Sequence, residues 1–258
     1  MTGARLQLLG SYEVSAPDLP AVVSTPGTQR LVVLLALRER MVSRSAIAGA
    51  LWPDASIELA AVRLRAALAR LDPAARSAVE VVAGGIRLDA SCLVDYRDAR
   101  AEAETLIEPD DDAVRRTASE TRASIALMCL ELLPDSYDEW VLEEAEDWRL
   151  LRAAALEALT ASLSADDRPH LAMRAARAAI RNEPLRETAQ AALIRLHLVA
   201  GNQHEALRVY ERFAVALHEA LQVSPSPLLR ALVGATPPPP ETPPRRGIAR
   251  PATTLTDL

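Results

Sequence analysis

Arginines carry the chemistry that this sequence offers. Arg44, Arg63, Arg65 and Arg70 fall within one stretch, Ser43 to Leu71, and no acidic residue follows Glu58 until Asp72. A guanidinium is permanently charged, planar, and donates through a fork that fits phosphates and guanine edges. Val62 and Ala66 stand among the arginines, and such small apolar groups can touch a thymine methyl. The chemistry on offer is recognition of a polyanion, with no bond made or broken.

The elements that must position these side chains are two short helices. Ser43 is a cap candidate for a helix running to Trp52, and Pro53 breaks it by removing a donor and restricting the residue before it. Asp54 and Ser56 supply a turn and a second cap, and a second helix runs from about Ile57 to Leu71, stopped by Asp72-Pro73. That is the frame of a helix-turn-helix, whose second helix lies in the DNA major groove. At about 100° per residue, Ile57, Ala60, Ala61, Leu64, Leu68 and Leu71 share an inward arc. Leu59, Val62, Arg63, Ala66, Ala69 and Arg70 face outward, with Arg65 on the flank. The plainer account is an amphipathic surface helix whose arginines are merely solvated; the wheel alone fits both.

The flanking segments complete a winged helix. Short alternating apolar runs at 6–9, 12–14 and 21–23, punctuated by Gly10, Pro17 and Pro20, predict two or three antiparallel strands. A helix follows from about Gln29 to Arg40, with Leu31, Leu34, Leu35 and Leu37 inward. Residues 79–88 predict a hairpin, Gly84-Gly85 supplying the positive φ of its turn. Arg87 in that wing, with Ser43 and Arg44, would hold the phosphate backbone while Val62, Arg63, Arg65, Ala66 and Arg70 line the groove.

From Asp95 the pattern is helical, with candidate helices at 96–107, 111–132, 138–164, 168–181, 186–200, 203–221 and 225–233. His170 to Leu221 reads as tetratricopeptide-like hairpins. Ala175, Ala179, Ala191 and Ala206 allow close approach, and Leu193, Leu207, Tyr210 and Phe213 fill between them. The acidic clusters 110–112 and 143–147 read as a helix start and a solvated face. Residues 235–258 are rich in proline and predict a disordered tail.

Composition narrows the classes. Aromatics are only 3% while alanine and leucine dominate, which favours helices over sheets. The net charge of −6 argues against nucleic acid if averaged, but it is unevenly spread. Residues 1–88 hold ten arginines against seven acids, a net +3, and residues 89–258 nineteen against 28, a net −9. Two cysteines, Cys92 and Cys129, make no disulfide framework or metal spacing. No signal peptide or membrane-length apolar run is evident, so a cytoplasmic protein is expected. Phosphate-binding, dinucleotide, serine-hydrolase and zinc-protease signatures are absent. His197 and His204 lack a third ligand, so no catalytic residue, cofactor or metal is expected.

With these residues in view, the chain resembles the Streptomyces antibiotic regulatory protein family: an OmpR-like winged helix followed by a bacterial transcriptional activator domain. The N-terminal likeness is carried by Leu8-Leu9-Gly10, Tyr12-Glu13-Val14, Val42-Ser43-Arg44, Leu51-Trp52-Pro53-Asp54 and residues 64–71. The C-terminal likeness is carried by residues 182–187, Ala200-Gly201-Asn202, residues 205–210 and residues 223–227. Three departures stand out: Ile86 where the wing usually has tyrosine, Asp72-Pro73 where the basic run usually continues, and Gln222 where glycine is usual. The resemblance implies a mainly α fold with a small β component: a winged helix-turn-helix over 1–92, a tetratricopeptide-like activator domain over 93–234, and the tail 235–258. It also implies a transcriptional activator that binds direct repeats in double-stranded promoter DNA, as a homodimer or as tandem copies. Such a protein recruits RNA polymerase holoenzyme, often at secondary-metabolite gene clusters. The alternative, drawn from the acidic total and the shortened basic run, is a helical-repeat interaction module whose winged helix has lost DNA binding.

Overall fold

The computed structural model describes residues 3–17, 19, 24–108 and 116–234. β1 (Arg5–Gln7) and β2 (Glu13–Ser15) run antiparallel, with the inward residues Leu6 and Val14 opposite each other. α1 (Pro26–Arg38) begins three residues earlier than the apolar pattern suggests. Thr25 caps it, and Pro26 occupies the first turn, where a missing N–H costs nothing. Its run Leu31 to Ala36 is buried on every side, which makes it the central helix of the N-terminal part.

α2 (Arg44–Leu51) and α3 (Ile57–Ala69) form the helix-turn-helix. α4 (Pro73–Ala78) was not expected from the sequence. The Asp-Pro pair that stops α3 also starts it: the Asp72 carboxylate accepts from the Ala75 N–H at 2.9 Å, and Pro73 fills the first turn.

β3 (Val79–Val82) and β4 (Gly85–Leu88) make the expected hairpin, with Val79 opposite Leu88 and Val82 opposite Gly85. The two glycines do different jobs. Gly84 takes the positive φ of the turn, +104°. Gly85 is the first residue of β4, and a Cβ there would lie 2.5 Å from the Val42 carbonyl oxygen. Val42 and Ile86 exchange two backbone hydrogen bonds, which tie the wing to the entrance of α2. Ile86 is fully buried.

β5 (Leu93–Val94) pairs parallel to β1 and gives a sheet of order β2-β1-β5. The third strand of the described sheet therefore comes from beyond the hairpin, where two residues carry too little pattern to announce it. The strand expected at 21–23 lies outside the described residues.

α5 (Asp95–Ile107) opens with a carboxylate that accepts from the backbone N–H groups of Leu8 and Leu9, at 2.8 and 3.1 Å. Burial raises the pKa of Asp95, against those hydrogen bonds, which lower it. α6 (Ala118–Leu127) starts on a Thr117–Glu120 capping box and is shorter than the expected 111–132. After it the chain extends: Leu132 bridges Leu9, the Gly10 N–H donates to the Glu131 carbonyl at 2.7 Å, and the Leu133 N–H donates to Leu8 at 3.0 Å. Backbone pairing outcompetes helix continuation there. The expected acidic helix start at 110–112 and the tail 235–258 lie outside the described residues.

α7 (Glu139–Ala165), α8 (Pro169–Asn182), α9 (Glu187–Val199), α10 (Gln203–Leu221) and α11 (Pro227–Leu232) follow the predicted breaks. α9 packs on both α8 and α10, as stacked hairpins require. Ala175, Ala179, Ala191 and Ala206 are buried as expected, and so are Leu193 and Phe213; Tyr210 is half-buried, but Leu207 turns out to solvent. Gln222, the departure from glycine, caps α10 in the left-handed region at φ +57°. The architecture is thus mainly α with a small β component: a winged helix-turn-helix followed by a tetratricopeptide-like helical stack. The two parts are braced by Arg30, which donates twice to the Asp138 carboxylate at 2.8 and 2.6 Å, and by Arg97, which donates to the Ala36 carbonyl. Trp148 anchors the helical side, edge-on to Tyr96 and donating to the Leu130 carbonyl at 2.9 Å.

Candidate nucleic-acid interface

Local capping fixes the two helices of the candidate site. The Ser43 hydroxyl accepts from the Ala46 N–H at 3.2 Å and shares a hydrogen bond with the Ser45 hydroxyl. The Trp52 N–H closes α2 on the Ala48 carbonyl, and the Ser56 hydroxyl accepts from the Leu59 N–H at 3.3 Å to open α3. At the far end of α3 the Arg76 guanidinium donates to the carbonyls of Leu68, Ala69 and Leu71, at 3.5, 3.1 and 3.3 Å. A cation on these orphan acceptors satisfies them and complements the helix dipole. Sequence reasoning missed this role, because only the turn at Asp72-Pro73 folds Arg76 back over α3.

Most of the expected face is realised. Ala60, Leu64 and Leu71 are buried, and Ala61 and Leu68 half-buried. Ile57 corrects the wheel: expected inward, it is 82% exposed, since it occupies the first helical turn, beyond the reach of the core beneath. Ala67, assigned to neither face, is buried. Leu59, Val62, Arg63, Arg65, Ala69 and Arg70 are exposed, and Ala66 is half-buried. Arg70 is the cap residue of α3 rather than part of its body, because the helix ends at Ala69.

Among the described residues, Arg44, Arg63, Arg65 and Arg70 enter no ion pair. Two other expected contacts are engaged internally. The Ser43 hydroxyl is committed to the α2 cap. Arg87 donates to the Glu80 carboxylate across the hairpin at 2.8 Å, and that hydrogen bond raises its pKa. Both partners are exposed, so solvent screens the pair and a phosphate can compete for the guanidinium.

Beside the arginine face, a groove of about 650 Å³ runs between α2 and α3, lined by Ala48, Trp52, Ile57, Ala61 and Leu68 with Arg44 and Arg65. Elsewhere, burial pushes Tyr12 up to about 12 and raises the Cys92 thiol. Among the described residues no three His, Cys, Asp or Glu side chains cluster as metal ligands, and no helix is long and apolar enough to cross a membrane.

A winged helix whose arginine face enters no ion pair among the described residues, fastened to stacked helical hairpins, defines a two-part architecture. Residues 88–235 match the family described as the bacterial transcriptional activator domain, and the chain belongs to that family, as the resemblance implied. The family is one of transcriptional regulators. The matched region begins at the end of the wing, so it covers none of α2 and α3. Among solved structures, Mycobacterium tuberculosis EmbR in complex with a low affinity phosphopeptide has a similar fold, with a TM-score of 0.60 and 22% identity. The likeness covers 90% of this chain and 64% of the EmbR chain. A search of curated proteins gives no match.

Proposed function

We propose that this protein is a sequence-specific, DNA-binding transcriptional activator. The observation that carries the reading is the exposed α3 face, where Arg63, Arg65 and Arg70 stand without ion-pair partners among the described residues. Uncompensated guanidinium groups on the second helix of a helix-turn-helix suit base edges and phosphates. In this reading Arg63, Arg65, Val62 and Ala66 face the major groove, and Arg44, Arg70 and the entrance of α2 at Ser43 meet the backbone. Arg87 leaves Glu80 for a phosphate. Residues 1–92 form the DNA-binding unit and residues 93–234 the activator unit, which contacts RNA polymerase at promoters with repeated half-sites occupied by a dimer or by tandem copies. Control of a secondary-metabolite cluster, from the nucleoid of a bacterial cytoplasm, fits the family.

The test is binding to the DNA upstream of the protein's own gene by gel shift, with Arg63→Ala and Arg70→Ala. Loss of a base-reading arginine costs about 1–3 kcal/mol, and loss of a phosphate contact lowers the salt slope by about 1. Affinity untouched by both changes would refute the assignment. A second reading, a winged helix that binds protein, is favoured by one observation: Ile57, Leu59 and Val62 are exposed, and Ile57 lines an apolar groove. Binding that ignores salt and survives the loss of the arginines would favour it.

A further inference from the structure

A second arginine cluster lies on the opposite part of the chain, within the acidic helical stack. Arg177 and Arg181 stand four apart on α8, Arg208 and Arg212 four apart on α10, and all four are exposed. They line a single groove of about 540 Å³ whose accessible apolar lining includes Ile180 and Pro184. One acid, Glu205, also lines it and pairs with Arg208 at 3.0 Å. Among the described residues Arg177, Arg181 and Arg212 have no ion-pair partner. General basicity does not explain the cluster, since residues 89–258 carry a net −9.

We propose that this groove is a docking site for an extended acidic peptide segment of a partner protein. The spacing supports a strand-like ligand. Residues four apart on a helix are separated by about 6 Å along its axis. Side chains two apart on an extended chain are separated by about 6.6 Å. A peptide alternating its side chains between the two walls thus presents carboxylates to each arginine pair at matching intervals, and charge-assisted pairs to guanidinium forks are the strong kind. The accessible apolar lining, Ile180 and Pro184, takes a flanking aliphatic side chain. A nucleic acid duplex fits poorly, because the groove holds only a few side chains and is partly apolar.

The experiment uses the full chain and fluorescence anisotropy, with a fluorescein-labelled peptide of alternating Asp and Glu ending in Leu. Its Asn/Gln counterpart is the uncharged control. The acidic peptide binds and the control does not. Arg181→Gln with Arg212→Gln weakens binding by about tenfold or more, while Arg63→Gln on α3 leaves it unchanged; circular dichroism confirms that each variant is folded. Failure of the acidic peptide to bind, or equal binding by the folded groove variant, overturns the proposal. So does displacement of the peptide by single-stranded DNA whose own binding is lost in the same variant, which would assign the groove to nucleic acid. The proposal does not depend on DNA binding by α3, and the Arg63 variant reports on that separately.

Discussion

Replacing Gly85 by alanine tests how the wing is held against the helix-turn-helix. The added Cβ would sit 2.5 Å from the Val42 oxygen, 2.8 Å from Met41 Cγ and 3.0 Å from the Val42 carbonyl carbon. The methionine can rotate away. The carbonyl cannot, because it accepts from the Ile86 N–H at 2.9 Å while the Val42 N–H donates back to Ile86 at 2.9 Å. Relief therefore requires the hairpin to shift and strains both bonds. Each bond is worth about 1 kcal/mol, and overpacking adds about 1–3 kcal/mol, so Gly85→Ala should cost roughly 2–4 kcal/mol. At this chain length that is a fall in Tm of roughly 5–15 °C by circular dichroism. Gly84→Ala is the contrast: its Cβ meets the flexible Met41 side chain at ordinary contact distance, 3.7 Å from Cε and 4.0 Å from Sδ, and its cost is the φ of +104°, about 1–2 kcal/mol. If close approach is the reason for Gly85, its variant is the less stable of the two, and adding Met41→Ala recovers little. A Gly85→Ala protein that melts with the wild type would refute the reasoning.

Two further changes probe the helical stack. Gln222 holds a left-handed cap that glycine adopts without strain, so Gln222→Gly should stabilise by about 0.5–1 kcal/mol in urea unfolding; a loss of stability would show that its side chain contributes more than its backbone costs. His197 is buried, its Nδ1 has no hydrogen-bond partner among the described residues, and its pKa is lowered, first by burial and then by Arg177. The folded state thus disfavours the imidazolium that the unfolded chain forms below about pH 6.5. Stability from this group is full above that pH and is lost on acidification, so His197→Gln should lose less stability than the wild type between about pH 7.5 and 5.5. Parallel stability curves for the two proteins would contradict the assignment.

The sequence by itself determined the local elements. Caps and breakers are short-range physics: Ser43, Pro53 and Ser56 place α2, its turn and α3 without reference to the rest of the chain. The 3.6-residue period likewise sets the outward arginines of α3, because burying Leu64 dictates where Arg63 and Arg70 point. Tertiary structure decided what depends on residues far apart in the chain. β5 exists only because β1 offers an edge, and the chain after α6 extends because Leu8 to Gly10 present unpaired backbone groups to it. Ile57 escapes burial because the core ends beneath it, which no helical wheel can register. Arg76 finds the end of α3 only through a turn, Arg87 finds Glu80 only across a hairpin, and the four arginines of the α8–α10 groove meet only once α9 has folded between them. Periodicity fixes which way a side chain points along its own element; which partner it meets is set by packing between elements.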